Sequence, residues 1–251
     1  MKQAKTYQYR GVLCYPIQCD PMQCNTGECE MAARITAFVG EKGGGSKSTT
    51  CQNMAVQLTK GGKKVIVGDA DPQGTTTKWG DRRVDASIEP RVEVRQVSAK
   101  NLTAFLEKNS EEYDHILIDT GGADSSEMRV ALLFADDAVC PCEPSQADVE
   151  TLEHVNDVIR KHLPENPSLK ACIVATKASS HASSTEVEEL RDTSKHFENM
   201  TLLNTVIYSR KAFKDALRDG LGVVELPIND FSRKAIAEST QLEKELFHGN
   251  D

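Results

Sequence analysis

The chain has 251 residues and a formal net charge of −8, with 39% hydrophobic and 27% charged residues. This composition supports a buried core and suits one large α/β domain or two small ones. No apolar run reaches the roughly 18 to 20 residues that a membrane span needs, and the N-terminus lacks the apolar core of a signal peptide. We therefore expect a cytoplasmic protein that would need a local basic patch to bind nucleic acid.

The first thirty residues differ in composition from the rest of the chain. Four of the eight cysteines lie in this segment at five-residue spacing: Cys14, Cys19, Cys24 and Cys29. This spacing is not a common metal-ligand pattern. A metal or iron–sulfur cluster, a disordered polar tail and an extension upstream of a start at Met31 all fit it. We expect residues 1–31 to be disordered or to lie outside the fold, and residues 32–251 to form a single domain.

Strands and helices are predicted to alternate after this segment. ARITAFVG predicts a buried strand, which a glycine-rich loop and a helix ending at Gly61 follow, and KKVIVG predicts the next strand of a βαβ unit. Further strands are predicted in VEVRQV, HILID, DAVCPC, ACIVATKA, TLLNTVIYS and VVEL. Further helices are predicted in NLTAFLEKNSEEY, SSEMRVALLFA, DVETLEHVNDVIRKHL, SSTEVEELRDTSKHF, RKAFKDALRDG and SRKAIAESTQLEKELF. The pattern indicates an α/β fold with a doubly wound, mostly parallel sheet and helices on both faces.

The loop EKGGGSKSTT lies between the first strand and the first helix. Backbone N–H groups in such a loop can bind phosphate oxygens, and glycines permit close approach. Lys47 would reach the β and γ phosphates, and the Ser48 hydroxyl would coordinate Mg²⁺. The spacing G-x-x-x-x-G-K-[ST] is nearly met from Gly40, but Ser46 occupies the second glycine position. Taken alone, the loop could also be a flexible turn with ordinary surface lysines.

Three carboxylates are predicted at strand ends near this loop. Asp119 ends HILID, in the form of a Walker B acid, and Asp69 and Asp71 end the strand in VGDADPQG. An isolated D-x-D-P could be only a turn. Because ligands of parallel sheets bind at the carboxyl ends of the strands, the combination predicts a metal–nucleotide site.

Together, these segments resemble the ParA/MinD superfamily of deviant Walker ATPases, and within it the small plasmid-partition ParA proteins. KGGGSKSTT, DADPQG and ILIDTGG are similar to the motifs KGG-x-GK-[ST]-T, D-x-DPQG and ILID-x-x-P/G of that family. CEPSQADVETL and SRKAFKDALRDGLGVVE are weaker matches. The resemblance covers roughly residues 32–247. It implies a weakly active ATPase that binds ATP and Mg²⁺ and forms an ATP-sandwich homodimer.

The resemblance also implies residue roles. Lys42 would be the signature lysine that reaches phosphates bound by the other subunit, and Asp71 would position the attacking water. Ser48, Asp69 and Asp119 would hold Mg²⁺. The remaining nucleotide contacts would come from Gly43, Gly44, Gly45, Ser46, Lys47, Ser48, Thr49, Thr176, Lys177, Pro227, Ile228 and Asn229.

Gly45 and Ser46 depart from the family pattern, which usually has another residue and then glycine. A Cβ at position 46 could strain a positive φ by ~1 kcal/mol. We expect this departure to affect the rate of hydrolysis more than nucleotide binding.

A basic surface is predicted near the C-terminus, formed by Arg210, Lys211, Lys214, Arg218, Arg233 and Lys234. Clustered cations suit sequence-independent contacts to the DNA backbone, while a solvated face with salt bridges to Asp215 and Asp219 would give the same pattern. The resemblance to ParA implies that the ATP-bound dimer binds nonspecific DNA and associates with the nucleoid. It also implies that a ParB-like centromere-binding partner stimulates hydrolysis, in the service of plasmid partition.

The superfamily also contains proteins with other functions. The acidic C-terminus QLEKELFHGND argues against the membrane binding of the MinD branch. Cys140-Pro141-Cys142 lacks the spacer residue of the iron–sulfur carrier branch, so we expect these thiols to be buried as small hydrophobes. A ParA-like ATPase that positions a protein cargo, and a slow-turnover ATP-binding switch, share all the motifs.

Overall fold

The structure is a computed structural model that describes residues 7–9, 12–14, 33–41, 46–122, 124–181 and 183–248. Two short N-terminal strands, β1 (Tyr7–Tyr9) and β2 (Val12–Cys14), pair antiparallel in a sheet of their own. Cys19, Cys24 and Cys29 lie outside the described residues, as do Lys42, Gly43, Gly44 and Gly45 of the phosphate loop. The role of the N-terminal extension therefore stays a prediction.

Within the described residues, the main sheet has seven strands in the order β5-β4-β6-β3-β7-β8-β9. They are β3 (Arg34–Phe38), β4 (Val65–Ala70), β5 (Glu93–Gln96), β6 (His115–Thr120), β7 (Asp137–Cys142), β8 (Lys170–Ala178) and β9 (Thr201–Tyr208). Every pairing between them is parallel, so the predicted doubly wound sheet is confirmed. Strand β3, which carries the phosphate loop, lies at the centre with β6 and β7 on either side.

Helices cover both faces of the sheet. They are α1 (Lys47–Lys60), α2 (Thr75–Asp85), α3 (Leu102–Asn109), α4 (Ser126–Phe134), α5 (Gln146–His162), α6 (Glu186–Ser194), α7 (Lys211–Arg218) and α8 (Arg233–Phe247). Buried side chains of α3, α4, α5 and α6 form one core with the sheet. Those of α1, α2, α7 and α8 form a second core on the opposite face. The two cores confirm the prediction that helices cover both faces of the sheet.

Two elements differ from the prediction. Helix α2 was not predicted, because its sequence is polar and contains Gly80. Tertiary packing forms it: Trp79 is fully buried, and a Cβ at Gly80 would lie only 2.8 Å from Val94 Cγ2 on β5. The predicted strand in VVEL is wrong, since Val223–Glu225 is one turn of 3-10 helix. The N–H of Val223 donates to Asn53 Oδ1 on α1, so this segment packs on a helix instead of pairing with a strand.

The register of the central strands brings the predicted site together. Asp119 of β6 is paired with Phe38 of β3 on one side and with Asp69 of β4 on the other. The three strands therefore end at the same level. Because all of them are parallel, the phosphate loop, the loop after Asp69 and the end of β6 meet at one edge of the sheet.

Candidate functional site

The phosphate loop ends at Ser46, the residue before α1. Its backbone is left-handed, with φ 56° and ψ 0°, and its side chain makes no capping hydrogen bond. This confirms the expectation that a Cβ occupies a positive-φ position in the loop. The Ser46 carbonyl accepts the first helical hydrogen bond, from the Thr50 N–H at 2.7 Å.

Lys47 lies against the start of the loop. It is only 6% exposed, and a Cβ at Gly40 would lie 3.5 Å from Lys47 Cδ and 3.9 Å from its Nζ. Burial lowers the pKa of the ammonium, and the nearby charge of Asp119 opposes that shift. A Cβ at Gly40 would therefore make ordinary van der Waals contact with the Lys47 side chain. The lysine is thus held close to the carboxylates.

Asp119 is fully buried at the end of β6. Its Oδ2 accepts a hydrogen bond from Thr76 Oγ1 at 2.6 Å. Its Oδ1 has no hydrogen-bond partner in the part of the chain that the structure describes. Burial raises the pKa of this carboxyl to about 7, against the opposing effect of the Thr76 and Ser48 hydroxyls. An acceptor oxygen left bare in a buried site suits a cation or water that arrives with a ligand.

Asp69 is also buried, but its oxygens are engaged. Its Oδ2 accepts from the N–H and the Oγ1 of Thr77, at 2.7 and 2.9 Å, and its Oδ1 accepts from the Asp71 N–H at 3.2 Å. Burial raises its pKa, and these hydrogen bonds oppose the shift. Asp69 therefore anchors the loop between β4 and α2.

Asp71 lies in that loop and faces the end of β6, since a Cβ at Gly121 would lie 3.8 Å from Asp71 Cγ. Its Oδ1 accepts from the Gln73 N–H at 2.9 Å. Gln96, at the end of β5, donates from Nε2 to the carbonyls of Asp69 and Asp71, at 3.1 and 2.9 Å. The loop conformation is thus fixed from the neighbouring strand.

The donor set fits Mg²⁺. Carboxylate and hydroxyl oxygens are its preferred protein ligands, and the ion usually binds through one or two carboxylates, waters and substrate phosphates. Ser48, Asp69 and Asp119 carry such oxygens. Those of Asp69 already accept hydrogen bonds, whereas the unpaired Oδ1 of Asp119 is an acceptor that an ion or its water would satisfy. Among the described residues, no group of three or more histidine, cysteine or acidic side chains forms an all-protein metal site.

Two of the segments predicted to contact the nucleotide lie at the end of β8 and before α8. Thr176 is buried, and its Oγ1 lacks a hydrogen-bond partner among the described residues. Lys177 has φ 54° and lies 3.7 Å from Glu143. In the second segment, Ile228 is 75% exposed, and Asn229 Oδ1 accepts from the N–H of Phe231, which holds the turn before α8. The two segments are separate parts of the chain, and their joint role stays a prediction.

One of the six residues predicted to form the basic surface, Arg210, is mostly buried. The Arg210 guanidinium donates to Glu238 of α8 at 2.9 and 3.0 Å and lies over the Tyr208 ring, so it is only 20% exposed. The other five are exposed: Lys211, Lys214, Arg218, Arg233 and Lys234. Salt bridges of the expected kind join Lys211 to Asp215 and Arg218 to Asp219.

Cys140 and Cys142 lie in β7 and are buried, at 2% and 4% exposure. Burial raises the pKa of the Cys140 thiol to about 12, so this thiol stays protonated. The pair therefore packs as small apolar side chains, as expected. In the described residues, no helix is long and apolar enough to cross a membrane.

Four residues of the site were not predicted: Gln52, Thr76, Thr77 and Gln96. Their side chains hold the carboxylates and the loop instead of facing a ligand. The threonine run that follows DADPQG was the available signal, because hydroxyls there lie at the start of α2, next to the strand-end acids. Gln52 and Gln96 carry no such signal, since only the fold brings them close.

Comparison with known proteins shows the family to which this chain belongs. The profile of the CobQ/CobB/MinD/ParA nucleotide-binding domain matches residues 36–223. The maintenance of carboxysome distribution protein A of Gloeobacter kilaueensis is 27% identical over 215 residues, which are 85% of this chain and 94% of that protein.

Two solved structures share the fold. An ATP complex of a Cyanothece McdA variant is similar with a TM-score of 0.67 at 16% identity, covering 88% of this chain and 98% of the other. A putative plasmid partition protein of Borrelia burgdorferi bound to AMPPNP has a TM-score of 0.62 at 18% identity, covering 86% and 100%. The chain belongs to the CobQ/CobB/MinD/ParA family of nucleotide-binding domains, as a ParA/MinD-type ATPase.

Proposed function

We propose that this protein is a DNA-partition ATPase. It would form a homodimer around two ATP molecules with Mg²⁺, bind DNA nonspecifically in that state, and hydrolyse ATP slowly until a ParB-like partner accelerates the step. One observation carries the proposal. Asp69 and Asp119 lie side by side where β4 and β6 end, level with the end of β3, and the Lys47 ammonium lies close to Asp119. A phosphate loop beside two buried acids is the arrangement that phosphoryl transfer from a nucleotide requires.

The residues divide the chemistry among them. Lys47 would neutralise charge on the phosphates of its own subunit, and Lys42 would do so for the nucleotide of the other subunit. Asp71, whose loop is held by Gln96, would orient the attacking water. When bound by Ser48, Asp69 and Asp119, Mg²⁺ would offset phosphate charge. Because each site would need both lysines, ATP binding and dimerisation would be coupled.

The DNA contacts would come from the exposed cations of α7 and the start of α8. Lys211, Lys214 and Arg218 lie at i, i+3 and i+7 on α7, which places them on one face of the helix. Acidic neighbours partly offset this charge, so one subunit would bind weakly. A dimer would present two such surfaces and gain affinity through multivalency. Arg210 holds α8 to α7 and would act on DNA only indirectly.

The first test is the binding of a random DNA duplex at low and moderate salt, with ATP, with ADP and without nucleotide. Binding that needs ATP, weakens with salt and disappears in Lys42→Ala would support the cycle. Lys214→Glu should weaken binding, while Lys108→Glu should not, because α3 lies on the opposite face of the sheet. No DNA binding by an ATP-bound dimer would contradict the DNA step.

A second candidate function is the positioning of a protein cargo. The similarity to a carboxysome distribution protein over 85% of the chain favours it. The partner separates the two functions, since the ATPase site would be shared. Protein captured on the ATP-locked Asp71→Ala variant would be identified by mass spectrometry. A centromere-binding protein would support partition, and a component of a protein assembly would support positioning.

A further inference from the structure

A buried chain of hydrogen bonds links α1 and α2 to the end of β6. Gln52 Nε2 donates to Thr76 Oγ1 at 2.8 Å, and Thr76 Oγ1 donates to Asp119 Oδ2 at 2.6 Å. Gln52 is 2% exposed, and Thr76 and Asp119 are fully buried. None of the sequence motifs contains Gln52, and the metal-binding role proposed for Asp119 does not by itself require either partner.

The direction of these hydrogen bonds follows from chemistry. The Asp119 carboxylate only accepts, so the single hydroxyl proton of Thr76 must point to it when it is charged. The Thr76 oxygen is then left to accept, and the Gln52 amide nitrogen is the group that donates to it. The opposite amide orientation would place two oxygens in contact without a proton between them. Gln52 therefore fixes the polarity of the Thr76 hydroxyl.

The two carboxylate oxygens of Asp119 therefore differ in their hydrogen bonding. Oδ2 is held by Thr76, while Oδ1 has no partner in the described residues. Ser48 lies one helical turn before Gln52 on α1, and its hydroxyl favours the charged form of Asp119. The hydrogen bonds between α1, α2 and β6 thus hold both the Oδ1 atom of Asp119 and the Ser48 hydroxyl in place.

We propose that Gln52 and Thr76 are positioning residues for Asp119, which keep Oδ1 available to a divalent cation brought in with a nucleotide. The inference rests on the proposed function, because it assigns a supporting role within the same site. Outer hydrogen bonds of this kind typically contribute about ten- to a hundredfold to metal affinity. Loss of the Thr76 hydroxyl should let the carboxylate rotate and share Oδ2 with other donors, so the cation should bind less tightly.

Calorimetric titration of ADP tests this directly and does not depend on turnover. The affinity for ADP would be measured in EDTA and then over a series of Mg²⁺ concentrations. Thr76→Val should raise the Mg²⁺ concentration for half-maximal enhancement at least about tenfold, with the affinity in EDTA unchanged. Thr76→Ser retains the hydroxyl and should behave like the wild type. Thr36→Val is the matched control, because the Thr36 hydroxyl is buried without a hydrogen-bond partner among the described residues.

A wild-type Mg²⁺ dependence in a folded Thr76→Val variant would overturn the inference while leaving the proposed function intact. If the wild type shows no Mg²⁺ enhancement, both fail. Should Thr76→Val not fold, Gln52→Met takes its place, since it keeps the hydroxyl but removes the donor that directs it. This variant should also raise the Mg²⁺ requirement, and an unchanged requirement would equally overturn the inference.

Discussion

Replacing Asp119 by Asn should stabilise the nucleotide-free protein while abolishing its Mg²⁺-dependent function. The folded environment raises the pKa of this carboxyl from 3.8 to about 7, chiefly through burial. Above pH 7 the charged carboxylate therefore lowers the free energy of unfolding by roughly 4 kcal/mol, because the pKa is raised by about 3 and each pKa unit corresponds to about 1.36 kcal/mol. Asparagine has the same shape, can still accept from Thr76, and carries no charge that burial penalises.

The increase in the free energy of unfolding caused by Asp119→Asn should grow as the pH rises. Because the folded pKa is raised, the penalty is absent below the unfolded value of 3.8 and grows as the pH rises toward 7. Urea unfolding should thus show a gain of about 4 kcal/mol at pH 8 and less than half of that at pH 5.

The control for this measurement is Asp137→Asn. Asp137 accepts from Arg34 Nε at 2.6 Å, so its charge has a partner and its loss should not stabilise the protein at either pH. An Asp119→Asn variant with unchanged or reduced stability at pH 8 would refute the reasoning, since burial would then not penalise the charge. A gain that is the same at pH 5 and pH 8 would also refute it.

Three further predictions concern other parts of the molecule. Ser46→Gly removes about 1 kcal/mol of positive-φ strain. If that strain limits hydrolysis, steady-state turnover should rise about fivefold, and an unchanged rate would show that it does not. Burial lowers the pKa of His115 from 6.5 to about 4, so its neutral form stabilises the fold fully above pH 6.5 and that contribution is lost as the pH falls toward 4. His115→Leu should therefore reduce the loss in free energy of unfolding between those two pH values by up to roughly 3 kcal/mol. The substitution of the exposed His181 by Gln should leave that loss unchanged. Arg83→Met should cost about 3 to 5 kcal/mol in urea unfolding, because it leaves Glu225 buried without its ion-pair partner at 2.7 Å, and a loss below 1 kcal/mol would contradict this.

Much of the fold could be predicted because alternating apolar strands and amphipathic helices are local features. The strand before the phosphate loop, the acids that end β4 and β6, and the helix that begins at Lys47 all follow from patterns of a few residues. Helix α2 could not be predicted, since its polar sequence with Gly80 is stabilised by the burial of Trp79 and by close packing on β5. The VVEL segment has strand propensity but lies against α1, where its N–H groups find other acceptors.

The sequence by itself determined the candidates for the chemistry: the lysine and serine of the phosphate loop and the acids at the ends of the strands. Only the tertiary structure decided how those groups are held. Gln52 and Gln96 reach the site from other elements, and the ion pair with Glu238 removes Arg210 from the basic surface. The reason is physical: a motif is encoded by neighbours in the chain, whereas a hydrogen bond between α1, α2 and β6 exists only once the core has packed these elements together.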